Sequence, residues 1–161
     1  MLHSQTAGGR PNDLALTPDV VTPQNDAVIA SVESVPAESA IRTILIVDDD
    51  RSVADTFSRM LKLEGFRVAT ALSAESGLEL ADSVRPDAII LDMRMPITNG
   101  LQFLRMIRSK AHLTSVPVAI VTGDYFLSEP IQHELKSLGA SIRFKPLWLE
   151  DLIALARTLI S

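Results

Sequence analysis

Three stretches of near-continuous aliphatic residues, at 43–47, 87–91 and 116–121, restrict what this chain can become more than anything else in it. A run of that length without polar alternation has no face to give to water. It is too short for a buried helix and suits a strand covered on both sides, as in a parallel sheet between helices. Shorter runs at 66–69 and 141–144 supply two further strands. The segments between carry apolar residues at helical spacing. These are Val53, Phe57 and Leu61, then Leu78 and Ala81 within 74–84, then Leu101, Leu104 and Ile107. Ile131, Leu135 and Leu138 follow, and finally Leu149, Leu152, Ile153 and Ala156. Gly65 and Gly139 stand just past two of these helices, where a left-handed cap is wanted. Pro86 and Pro117 stand at strand entrances, where a missing N–H does least harm.

Five βα units joined by right-handed crossovers predict an open α/β three-layer sandwich. The expected form is a flavodoxin-like (βα)5 fold with a parallel sheet in the order 2-1-3-4-5. A closed eight-unit barrel needs roughly twice this much chain.

The repeating pattern begins only at residue 41. Residues 1–40 hold no aromatic, four of the nine prolines, and five acids against the single Arg10, so they carry −4 of the formal −5. Such a segment buries too little apolar surface to offset its ordering entropy. The expected organisation is a disordered or extended tail over 1–40 and one domain over 41–161. Asp26 to Val35 is the tail's only mildly apolar patch. The absence of cysteine excludes disulfides, thiolate catalysis and cysteine-type zinc sites, and suits the reducing cytoplasm, where the protein is expected. No apolar run approaches the roughly 20 residues that span a bilayer. The N-terminus lacks the basic start and apolar stretch of a signal peptide. The mildly acidic balance gives no reason to bind nucleic acid or an anionic membrane.

In open α/β sheets, function gathers beyond the carboxyl ends of the strands. The first run leads into Asp48, Asp49 and Asp50, the third into Asp92, the fourth into Thr122 and the fifth into Lys145. Two bare carboxylates ~4 Å apart repel by ~4 kcal/mol at an effective dielectric of ~20. A cluster of Asp48, Asp49 and Asp92 therefore calls for a cation. Carboxylate oxygens with a carbonyl and water suit Mg²⁺. A hard dication, the Lys145 amine and the Thr122 hydroxyl beside one carboxylate make a receptor for a phosphoryl group, with the carboxylate as nucleophile.

Residues 42–160 resemble the receiver domain of two-component response regulators. "LIVDDD", "IILDMRMPITNG", "VTG" and "FKP" occur in the family's order and at its spacing. The resemblance implies that Asp92 accepts phosphate from a sensor histidine kinase or a small phosphodonor. It implies that Asp49, Asp92 and the backbone carbonyl of Arg94 ligate Mg²⁺, with Asp48 acting through a metal-bound water. Thr122 and Lys145 would hold phosphoryl oxygens, and Gly123 would leave room for the group. It further implies a cis Lys145–Pro146 peptide and a loop after Asp92 shaped by Pro96 and Gly100. The family usually carries an aromatic three residues before the lysine; here that residue is Ile142.

Other residues have plainer readings. Asp50 is expected to cap the first helix. Arg94 and Asp124 lie at the mouth of the site, where Arg94 modulates dephosphorylation or is simply solvated. His3, His112 and His133 share no ligand spacing. Met93, Met95 and Met106 suit packing, and Trp148 is either a partner anchor or a core cover. The chain ends at Ser161 with no helix-turn-helix or basic stripe after the fifth helix, so the expectation is a stand-alone module. Its output is phosphorylation-dependent protein binding through a face near Leu135, Ile142 and Trp148. The alternative is a phosphorelay step or phosphate sink that passes the group to a histidine phosphotransfer protein. The module is expected to phosphorylate and dephosphorylate only itself, and so not to be an enzyme. A haloacid-dehalogenase-type phosphatase also uses a strand-end Asp and Mg²⁺, but needs a second Asp at position 94. A nucleotide binder of this fold needs a glycine-rich loop where this chain has acids.

Overall fold

The computed structural model of the protein describes residues 40–161. The expected tail, with its patch at 26–35 and His3, lies outside the described residues, save for Ala40. The elements are β1 (Thr43–Val47), α1 (Arg51–Leu63), β2 (Arg67–Ala71), α2 (Ala74–Val84) and β3 (Ala88–Leu91). They continue as α3 (Gly100–Ser109), β4 (Val118–Thr122), α4 (Glu129–Ser137), β5 (Ala140–Phe144) and α5 (Leu149–Ile160). The strands form one parallel sheet in the order β2-β1-β3-β4-β5, which is the flavodoxin-like arrangement the alternation implies.

The aliphatic runs are continuous because both faces of the sheet are covered. Leu45, Val47, Ile89, Leu91, Val118 and Ile120 join a core with α2, α3 and α4. Their neighbours Ile44, Ile46, Ala88, Ile90, Ala119 and Val121 join a second core with α1 and α5. Each large aliphatic buried this way contributes roughly 1.5–3 kcal/mol of transfer free energy. β1 alone supplies four of them, none more than 1% exposed.

Local signals end the helices as the sequence suggests. The Asp50 carboxylate accepts from the N–H groups of Ser52 and Val53 and so caps α1. Asn99 and Gln102 form a reciprocal capping box at the start of α3. Gly65 and Gly139 have φ of +95° and +81°, the left-handed values a helix end favours.

Three details differ from expectation. A 3-10 turn over Ala111–Leu113 follows α3. Leu149, expected inward, is exposed in the first turn of α5, while Leu155 takes the buried place. Of the residues near which a partner-binding face is expected, Leu135 and Ile142 pack into the core and Trp148 alone is exposed.

Candidate functional site

Strand register brings the acids together. Val47 pairs with Leu91 across β1 and β3, so Asp48 and Asp92 leave the sheet side by side. The Asp92 N–H donates to the Val47 carbonyl at 2.9 Å, which fixes the loop at its first residue. One carboxylate oxygen from each of Asp48, Asp49 and Asp92 lies within 4.8 Å of the others. Asp48 and Asp92 are buried, and Asp49 is exposed.

The second half of the site comes from the next pair of strands. Thr122 of β4 pairs with Phe144 of β5, and the Lys145 N–H donates to the Thr122 carbonyl at 2.8 Å. The Lys145 ammonium then reaches back across the sheet. Its Nζ lies 2.9 Å from Asp48 Oδ2 and 3.6 Å from Asp92 Oδ1. The Lys145–Pro146 peptide is cis. Asp92, Arg94, Thr122, Gly123, Asp124 and Lys145 line an open depression of about 370 Å³. A Cβ placed on Gly123 would meet nothing within 4 Å, so the space beside Thr122 is open. A Cβ on Gly100 would lie 2.6 Å from the Asp92 carbonyl oxygen, so α3 can start where it does only with glycine there.

Burial pushes the Asp92 carboxyl up to about 6, and the negative charges of Asp48 and Asp49 push the same way. Lys145 and the Arg94 backbone N–H act against that rise without cancelling it. Burial alone would lower the Lys145 ammonium, but the hydrogen bond to Asp48 and the charges of Asp92 and Asp48 prevail and raise it. One ammonium facing three carboxylates leaves a negative surplus. A donor set of hard oxygens with that surplus fits a hard divalent cation such as Mg²⁺.

The mouth carries a second charged pair. Arg94 donates to Asp124 through Nε at 3.1 Å and Nη2 at 2.5 Å, and this holds the Asp124 carboxyl below its usual range. Arg94 occupies the sequence position, two past Asp92, at which the expected pattern of a haloacid-dehalogenase-type phosphatase would require an Asp. Thr122 is fully buried, and its hydroxyl accepts from the Asp124 N–H at 3.1 Å. Met93 and Met95 are buried, whereas Met106 is exposed. His112 pairs with Asp82, and His133 lies on the surface of α4, both apart from the acidic cluster.

Two contacts of Tyr125 lie beyond what the sequence shows. The Tyr125 hydroxyl donates to the Lys145 carbonyl, and the Tyr125 ring stacks on Phe144 with centroids 5.4 Å apart. The absence of an aromatic at 142 was the one available signal. Phe144 lies two residues on and so on the same face of β5.

Comparison with known proteins places these features. The model of the response regulator receiver domain family matches residues 44–157. Response regulator MprA of Mycolicibacterium vanbaalenii is 36% identical over 117 residues, which is 73% of this chain and 49% of that protein. The same-named protein of Mycobacterium ulcerans gives the same values. The chain thus spans about half the length of these curated relatives. Among solved structures, Vibrio cholerae chemotaxis protein CheY4 is 29% identical with a TM-score of 0.69, over 74% of this chain and 99% of that one. A response regulator receiver domain protein of Clostridium thermocellum is 28% identical with a TM-score of 0.67, over 74% and 94%.

Proposed function

We propose, since this chain belongs to the response regulator receiver domain family, that it works in the cytoplasm and takes a phosphoryl group onto Asp92 from a sensor histidine kinase. It then signals by binding another protein in the phosphorylated state. The observation that carries this reading is the meeting of Asp48, Asp49, Asp92 and Lys145 at the carboxyl edge of the sheet, although Asp48 and Lys145 are 97 residues apart in sequence.

An Asp92 carboxylate oxygen attacks phosphorus as the P–N bond of a donor phosphohistidine breaks. The acyl phosphate stays on Asp92, and the leaving imidazole takes a proton from solvent. Asp49, Asp92 and the Arg94 carbonyl would hold Mg²⁺, with Asp48 acting through water. When bound, that ion neutralises the carboxylate surplus and the charge on the transferred oxygens. Lys145 binds one phosphoryl oxygen and the Thr122 hydroxyl donates to another, once it turns from the Asp124 N–H. The Arg94–Asp124 pair spans the mouth and sets how readily water reaches the acyl phosphate. The exposed Trp148 offers an aromatic anchor for the partner.

Incubation with Mg²⁺ and acetyl phosphate should add one phosphate to the wild type and none to Asp92→Asn, read by intact-mass spectrometry. An adduct retained in the variant would remove Asp92 from its role. Asp49→Ala should weaken Mg²⁺ binding at least tenfold by calorimetric titration, and an unchanged isotherm would take Asp49 out of the ligand set.

A further inference from the structure

We infer that Tyr125, backed by Phe144, is a positioning residue that holds Lys145 in its phosphoryl-binding place. The inference rests on the reading of Asp92 as acceptor and Lys145 as its cationic partner.

Lys145 sits at a vulnerable point. β5 ends at Phe144, and its last residues are exposed. Pro146 follows and has no N–H to extend a ladder. Yet the ammonium must be delivered to within about one hydrogen bond of two carboxylates on other strands. Both polar groups of the Lys145 backbone are held, and by the same short segment of chain. Its N–H donates to the carbonyl of Thr122, and its carbonyl accepts from the hydroxyl of Tyr125, three residues along the β4–α4 loop. The lysine backbone is therefore gripped from both sides, by Thr122 at the end of β4 and by Tyr125 in the loop that follows.

The Tyr125 ring is itself fixed. It lies nearly parallel to the Phe144 ring, with planes 18° apart. Offset stacking at this separation favours one ring orientation and aims the hydroxyl. Phe144 occupies the strand face that Ile142 occupies one pleat below, so its ring projects on the loop side, where Tyr125 meets it. Tyr125 is 58% exposed, which argues against a packing role as its reason for being there. The hydroxyl contact is the constraint that remains.

The clamp joins the two phosphoryl-binding side chains into one unit. A shift of Thr122 toward an arriving group is felt at the Lys145 backbone through both hydrogen bonds.

The test compares wild type with Tyr125→Phe, which keeps the ring and its stack but loses the donor. Phosphate incorporation from acetyl phosphate should slow roughly three- to tenfold, the span one neutral hydrogen bond gives. The Mg²⁺ dissociation constant should stay within about twofold, because the metal ligands lie on other strands. A spectroscopic readout separates positioning from general loosening. The chain has four lysines, so ¹³C-lysine labelling resolves Lys145, assigned through Lys145→Arg. Its side-chain signal should shift in Tyr125→Phe while those of Lys62, Lys110 and Lys136 hold still. An unchanged rate in Tyr125→Phe, or a slower rate with the Lys145 signal unmoved, would overturn the inference. A wild type that takes up no phosphate would instead remove the Asp92 reading, which is a different failure.

Discussion

β1 and β5 carry opposite halves of one site and are built in opposite ways. Every residue of β1 is buried, whereas β5 is buried only at Ala140 and exposed at Arg143 and Phe144. β1 lies between two strands, while β5 is an edge. Repelling carboxylates need a mount that cannot yield, and β1 draws that stiffness from aliphatic contacts on both faces. The Lys145 amine stands just past the marginal strand, where its backbone is held by a few hydrogen bonds from Thr122 and the loop that follows it. The rigid half sets where charge accumulates, and the lightly held half sets whether a cation arrives to meet it.

The largest expected effect breaks the mount. Leu45→Ala empties a fully buried site in the central strand and should cost about 2–5 kcal/mol in denaturant unfolding. The acid cluster offers the next. The Asp92 carboxyl stands at about 6 in the folded chain against an ordinary 3.8. A raised carboxyl penalises the ionised folded state, so stability is full below the ordinary value, falls as pH rises through that window and stays lower above it. In divalent-free buffer, Asp92→Asn should remove that fall and gain at most ~3 kcal/mol over wild type at pH 7, with no gain near pH 3.5. Equal gains at both pH values would mean that the raised Asp92 carboxyl is not their source. The smallest effect belongs to the edge. Ile142→Ala should cost only ~1 kcal/mol, because its side chain is partly exposed and lacks cover on one flank. A loss as large as that of Leu45→Ala would erase the contrast between the strands.

Much of the rigid half is legible in the sequence. Its strands are written as uninterrupted Ile, Leu and Val, and its acids follow directly, so period and position suffice. The capping residue Asp50 acts within three positions of its own location and is equally open to reading. The lightly held half is less so. Lys145 follows its strand and can be picked out, but its hydroxyl partner Tyr125 is 20 residues away on a loop whose course no periodicity encodes. The Arg94–Asp124 pair spans 30 residues for the same reason. Leu135 lies on the apolar stripe that helical spacing picks out, and Ile142 packs against the same core, so of the residues marking the expected docking face only Trp148 is exposed.

The absence of room at Gly100 has a mechanical outcome. The first turn of α3 rests on the peptide of Asp92 so closely that a single methyl group would wedge them apart. That side behaves as an anvil. In the proposed reaction Asp92 gains a bulky, doubly charged substituent; recoil toward α3 is then blocked, and the open ground lies across the depression beside Gly123.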